Sequence, residues 1–175
     1  CGARRLAPGG NALLFCALFL GLGGLGGIVC RAQTIPVGNS PVTLAVNSLT
    51  NRIYVTNLGS DSITVIDGAT NSVVATVTDP NAVSPFALAV NPTTNTIYVT
   101  NSGSNNLTVI DGAINTVTAT IPVGTSPSGV AVDSETNFIY VANFGNSNGD
   151  PGNITVINGK TNATQTLTDS NAKNP

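Results

Sequence analysis

From residue 34 onward the chain runs in short stretches of Thr, Val and Ile, separated by clusters of Asn, Gly, Ser and Asp. No helical apolar period of about 3.6 residues holds anywhere after Ile35, so these stretches read as strands. In the first unit they fall at residues 42–46, 52–56, 63–66 and 73–78. Polar stretches at 47–51, 57–62 and 67–71 separate them. The Asp-Gly and Asn-Gly pairs at strand ends predict tight hairpin turns, with Gly supplying the positive φ. Ile63-Thr64-Val65-Ile66 does not alternate strictly, so apolar groups face both ways, as in a sheet covered on both sides.

The pattern repeats. Ile53-Tyr54-Val55-Thr56-Asn57 returns as Ile97-Tyr98-Val99-Thr100-Asn101 and Ile139-Tyr140-Val141-Ala142-Asn143, at spacings of 44 and 42 residues. Thr64-Val65-Ile66-Asp67-Gly68 returns in phase as Thr108-Val109-Ile110-Asp111-Gly112 and Thr155-Val156-Ile157-Asn158-Gly159. Ser40-Pro41, Ser84-Pro85 and Ser126-Pro127 open the units. Four antiparallel strands in a unit of about 42 residues is the arithmetic of a propeller blade. The expected fold is therefore an all-β propeller of about three four-stranded blades in an incomplete ring, at roughly 39–80, 83–122 and 125–170.

The Ile-Tyr-Val-Thr-Asn block followed by Val-Ile-Asp-Gly resembles the YVTN family of β-propeller repeats, over about residues 34–175. That resemblance implies a protein of the secreted or surface-layer type of bacteria and archaea. The third repeat departs from it at Ala142 and Asn158. WD40 repeats fit worse, because their landmarks need His and Trp, and the chain has neither.

Both ends match interior segments. Thr34-Ile35-Pro36-Val37-Gly38 repeats Thr120-Ile121-Pro122-Val123-Gly124, the end of an outer strand. Asp169-Ser170-Asn171-Ala172-Lys173-Asn174-Pro175 corresponds to Asp79-Pro80-Asn81-Ala82-Val83-Ser84-Pro85, where a further blade begins. The expectation is a fragment of a larger ring, with open end blades that self-associate.

Residues 1–32 read differently. Arg4 and Arg5 precede an apolar run over 11–29 that ends near Ala32, the order of a secretory signal. Five glycines weaken the run as an anchor, although it is nearly long enough to span a bilayer. A cleaved signal and an uncleaved membrane anchor both stay open, and either exports the remainder to a secreted, periplasmic or cell-surface location. All three cysteines fall within this leader.

Composition narrows the chemistry. The chain of 175 residues has no His and only 8% charged residues, which excludes imidazole bases and His metal ligands. From Gln33 onward three bases (Arg52, Lys160, Lys173) stand against eight acids, a balance of −5 that disfavours nucleic acid. No nucleophile–base pair, phosphate-binding glycine loop or CxxC occurs, so no catalytic, cofactor-binding or metal residue is assigned and no cofactor is expected. Asp67, Asp111 and Asn158 read as turn caps rather than as a ring of cation ligands. Tyr54, Tyr98 and Tyr140 read as packing between blades with their hydroxyls partnered. Asn57, Asn101 and Asn143 read as openers of the following hairpin.

One stretch breaks the period. The motif Asn lies 7 residues before the next Thr in two repeats and 12 before it in the third. The five extra residues make the segment around Asn146, Asn148, Asp150 and Asn153 a candidate interaction loop, since binding tends to settle in single-repeat insertions. Its alternating oxygen side chains resemble a calcium loop in spacing only, with one carboxylate and no terminal Glu. The sequence thus points to an exported, non-enzymatic binding or cell-surface structural propeller, with an unidentified protein or envelope ligand as its partner. The alternatives are a piece of a propeller enzyme, lactonase-like or a cofactor-bearing dehydrogenase or reductase subunit, and a propeller that binds single-stranded DNA.

Overall fold

The computed structural model of the chain describes residues 33–146 and 151–168. Residues 1–32, 147–150 (with Asn148 and Asp150) and 169–175 lie outside them, so the expected signal or anchor segment does too. The described part forms three four-stranded antiparallel sheets in which consecutive strands pair in order. The first holds β1 (Pro41–Asn47), β2 (Arg52–Asn57), β3 (Ser62–Asp67) and β4 (Ser72–Thr78). The second holds β5 (Pro85–Asn91), β6 (Thr96–Asn101), β7 (Asn106–Asp111) and β8 (Thr116–Pro122). The third holds β9 (Pro127–Asp133), β10 (Phe138–Asn143), β11 (Asn153–Asn158) and β12 (Thr164–Leu167). β5 lies against both β1 and β9, whereas the fourth strands scarcely meet. The first strand of each sheet is therefore innermost and the fourth lies at the rim, which makes the sheets blades of an open β-propeller.

The blades stack through their faces, and that explains why the strands are apolar on both sides. β3 and β7 are buried along nearly their whole length, odd and even positions alike. Two clusters make the core, one per junction. Tyr54, Ile63, Val65 and Val77 of the first blade pack on Leu88, Ile97, Val99 and Ile110 of the second. Tyr98, Leu107, Val109 and Ile121 then pack on Ile139, Val141 and Ile157 of the third. Apart from Leu88, whose counterpart Val130 is only partly buried, the two lists correspond position by position, so each junction is built from the same pair of faces of the same motif.

The turns correct one sequence expectation. Gly68, Gly112 and Gly159 do not supply the positive φ. That role falls to Asn71, Asn115 and Asn162, with φ of 54°, 55° and 59°, at the other end of a loop of four or five residues. Asn visits the left-handed region at lower cost than most residues. The glycines are required for space instead. A Cβ on Gly112 would meet the Asn95 backbone oxygen at 2.8 Å, because the Gly112 N–H donates to that carbonyl in the turn before β6. The Asp and Asn before these glycines do cap the turns. Asp67 Oδ1 accepts from the amides of Ala69 and Thr70 (2.8 and 3.0 Å), Asp111 from Ala113 (2.7 Å) and Asn158 from Lys160 (2.9 Å).

The tyrosines divide. Tyr54 and Tyr98 are buried between blades, as expected, but only Tyr98 finds a side-chain acceptor, Asn137 Oδ1 at 3.4 Å. The Tyr54 hydroxyl is buried with no hydrogen-bond partner. Tyr140 is exposed, because the face it occupies on the third blade has no described neighbour.

Candidate functional site

The insertion emerges at the end of the stack where chain segments pass from blade to blade. There the β2–β3 and β6–β7 loops have four residues each, 58–61 and 102–105, and the β10–β11 loop has nine, 144–152. Its base is held as in the shorter loops. Phe144 N donates to Ser126 O and Gly145 N to Thr125 O, both at 3.0 Å, as Ser102 N and Gly103 N do to Ser84 O and Val83 O. The base of the longer loop thus repeats the bonding of the shorter ones.

The candidate residues do not share one role. Asn153 starts β11, and its side-chain oxygen accepts from Asn143 Nδ2 at 2.8 Å, as Asn106 does from Asn101. It thus ties the base of the loop to the blade. Asn146 is exposed on the ascending arm. Asn148 and Asp150 lie outside the described residues.

The motif asparagines are hairpin clasps, in line with the structural reading. Nδ2 of Asn57, Asn101 and Asn143 donates across to the hydroxyls of Thr64, Thr108 and Thr155, each at 2.9 Å. Their Oδ1 atoms have no partner in any of the three repeats.

Two constructions escaped the sequence reading. The first is a ladder at the opposite end, where Asn47 Nδ2 donates to Asn95 Oδ1 and Asn91 Nδ2 to Asn137 Oδ1, each at 2.8 Å. It binds each blade to the next. The visible signal was Asn47 and Asn91 recurring at the ends of the inner strands, with Asp133 in the third place.

The second is Asp79, in the connector between the first two blades, with only 4% of its surface exposed. Its carboxylate accepts from the hydroxyls of Thr120 (2.7 Å) and Thr108 (2.8 Å) and from the Asn81 amide (2.9 Å). Burial pushes this carboxyl up, but the Thr120 hydroxyl, the Asn81 amide and the Thr108 hydroxyl outweigh it and hold it below its usual value. The other connector, from Ile121 to Pro127, is two residues shorter than that from Val77 to Pro85 and carries no such acid. That difference accounts for repeat spacings of 44 and 42, the one available signal.

Among the described residues no three His, Cys, Asp or Glu side chains come together to hold a metal. Their one ion pair joins Arg52 to Asp67 at 2.6 Å across the β2–β3 pair. The Asp67 carboxyl lies below its usual value, chiefly through the backbone amides of Thr70 and Ala69.

No protein-family profile matches the chain, and no curated protein matches it. Solved structures do. Hydrazine synthase of Kuenenia stuttgartiensis superposes with a TM-score of 0.67 at 24% identity, over 82% of this chain and 40% of that one. A protein of the nidogen/laminin complex superposes with a TM-score of 0.62 at 20% identity, over 79% and 51%. A functionally unknown protein from Desulfotomaculum acetoxidans gives 0.61 at 14%, over 78% and 44%. The chain thus spans about half or less of each of these three structures. At these identities the likeness speaks to architecture alone, and the chain is a β-propeller built of four-stranded blades.

Proposed function

We propose that this chain is an exported, non-enzymatic β-propeller of the YVTN kind that serves as a binding or structural module at the cell surface, with the 144–152 loop as its contact. The observation that carries the reading is the loop itself, nine residues where the sister blades have four, on an otherwise periodic scaffold. Such scaffolds hold variable loops rigidly and cheaply, and binding residues concentrate there. The basic and apolar order of the leader supports export.

The test compares the full chain with a variant in which 144–152 is replaced by the Ser-Gly-Ser-Asn stretch of 102–105. Both are added to washed cell envelopes of the source organism, and retention is measured against concentration. The expected result is saturable retention of the wild type and at least a tenfold loss in the variant, with an unchanged circular dichroism spectrum. Equal retention of both would remove the loop from the function. Hydrolysis of sugar lactones above background would move the protein into the enzyme class.

A further inference from the structure

We infer that Asn162, in the β11–β12 turn, is a glycosylation site, the point at which an oligosaccharide is joined to the exported protein. The inference rests on the proposed export, because sugar is added to asparagine in proteins that leave the cytoplasm. It does not depend on what the 144–152 loop binds.

The acceptor pattern is Asn-X-Ser or Asn-X-Thr, with X other than Pro. The chain carries it three times, at Asn106-Leu107-Thr108, Asn153-Ile154-Thr155 and Asn162-Ala163-Thr164. In a chain so rich in Asn and Thr the pattern alone decides nothing, and it is the fold that separates the three. Asn106 Nδ2 donates to Asn81 O at 2.8 Å, and its side-chain oxygen accepts from Asn101 (2.8 Å) and Ser104 (3.1 Å). Thr108 is 0% exposed and bonded on both sides, to Asn101 and to Asp79. Asn153 is tied to Asn143, and Thr155 is 2% exposed. Both pairs belong to the hairpin clasps and lie out of an enzyme's reach.

The third pair is open. Asn162 closes the turn with a φ of 59°, and its backbone N–H donates to Asn158 O at 2.8 Å. Asn162, Ala163 and Thr164 are all exposed. Among the described residues no hydrogen bond engages the side chain of Asn162 or of Thr164. This exposure belongs to the turn itself. Asn71 and Asn115 hold the same turn position in the first two blades and are exposed and half-exposed, although a further blade follows each. Thr164 pairs directly with Ile157, which packs on the second blade, so the neighbour on its side of the sheet is in place. The sister turns lack the pattern, because Val73 and Val117 stand where Thr164 does. Val117 packs into a junction, whereas the Thr164 hydroxyl serves no contact of the blade.

In the transfer, Nδ2 of Asn162 gives up one proton and bonds to the anomeric carbon of the oligosaccharide. The bond from that carbon to the pyrophosphate of a lipid-linked donor breaks, and the lipid pyrophosphate leaves. The β11–β12 turn and the 144–152 loop sit at opposite ends of β11, so the sugar leaves the loop clear.

The test produces the full chain in the source organism, separates cytoplasm, envelope and medium, and maps each fraction by glycopeptide mass spectrometry. Wild type is compared with Asn162→Gln and Thr164→Val. The expected result is a sugar mass on Asn162 of the exported wild type, with Asn106 and Asn153 unmodified. Complete loss of that mass is expected in both variants, although Thr164→Val keeps the asparagine. Exported protein with a bare Asn162 would overturn the proposal and leave export standing. Sugar at Asn106 or Asn153 in its place, or sugar that survives Thr164→Val, would overturn it equally. Protein confined to the cytoplasm would overturn both readings. Thr164→Val installs the residue of the sister blades and so keeps the comparison valid should Asn162→Gln, at a positive φ, unsettle the turn.

Discussion

A carboxylate buried with hydroxyl and amide donors and no cation is stable only while every donor stays in place, and Asp79 is in that position. Its folded-state carboxyl lies below the ordinary value, so the unfolded chain takes up the proton more readily. The stability it contributes is therefore complete above the unfolded value of about 4 and fades as pH falls through the folded one. We expect Asp79→Asn to cost about 1.5–3 kcal/mol at pH 7, the range for hydrogen bonds to a charged group. The gap to wild type should narrow below pH ~4 in denaturant titrations; a gap independent of pH would show that the charge is not what matters. A second residue-scale expectation concerns Gly112. Gly112→Ala should cost about 1–3 kcal/mol through collision with the Asn95 carbonyl, although the φ of Gly112 is not in the left-handed region. Chemical denaturation reads this directly. The sequence reading found these glycines but assigned them the wrong reason. Gly-after-Asp is associated with positive φ, while the collision depends on a carbonyl in another turn that local pattern does not reveal.

At the scale of the blade junctions, Tyr54 in the first and Tyr98 in the second give a matched pair of tests. Tyr54 buries a hydroxyl with no partner, and Tyr98 buries one that reaches Asn137. Tyr54→Phe is expected to leave stability unchanged or raise it, and Tyr98→Phe to lower it by about 0.5–1.5 kcal/mol. Equal effects in thermal melts would mean that the Asn137 contact is without weight. At this scale the sequence was highly legible. The strand at 52–56 was read one residue short of Arg52–Asn57, and that at 73–78 one short of Ser72–Thr78. Thr, Val and Ile runs bounded by Asn and Gly admit little else. The role of Asn57, Asn101 and Asn143 was legible too, because a buried amide at a strand end needs a nearby acceptor and the next strand offers a Thr. The partners of Asn47 and Asn91 were not, since they lie 48 and 46 residues away on another blade.

For the molecule as a whole, repetition made the blades readable and also hid what differs between them. The nine-residue loop stood out because it interrupts a period. The two-residue excess in the Asp79 connector did not, although it changes the chemistry of a junction. Asn153 entered the candidate loop by sequence position, yet its side chain serves the blade through Asn143. The junctions themselves were legible only as a general need to cover both faces of each sheet. Their one-for-one equivalence required the packed structure.

That equivalence bears on inheritance. Each unit carries the same two junction faces, and the Ile-Tyr-Val-Thr-Asn block recurs from unit to unit with Ala142 as its one change. Unequal crossing-over between them would add or delete a whole blade in frame, and every surviving contact would still meet its proper counterpart. Lineages carrying such a gene should differ in length by multiples of one repeat far more often than by odd fragments of one.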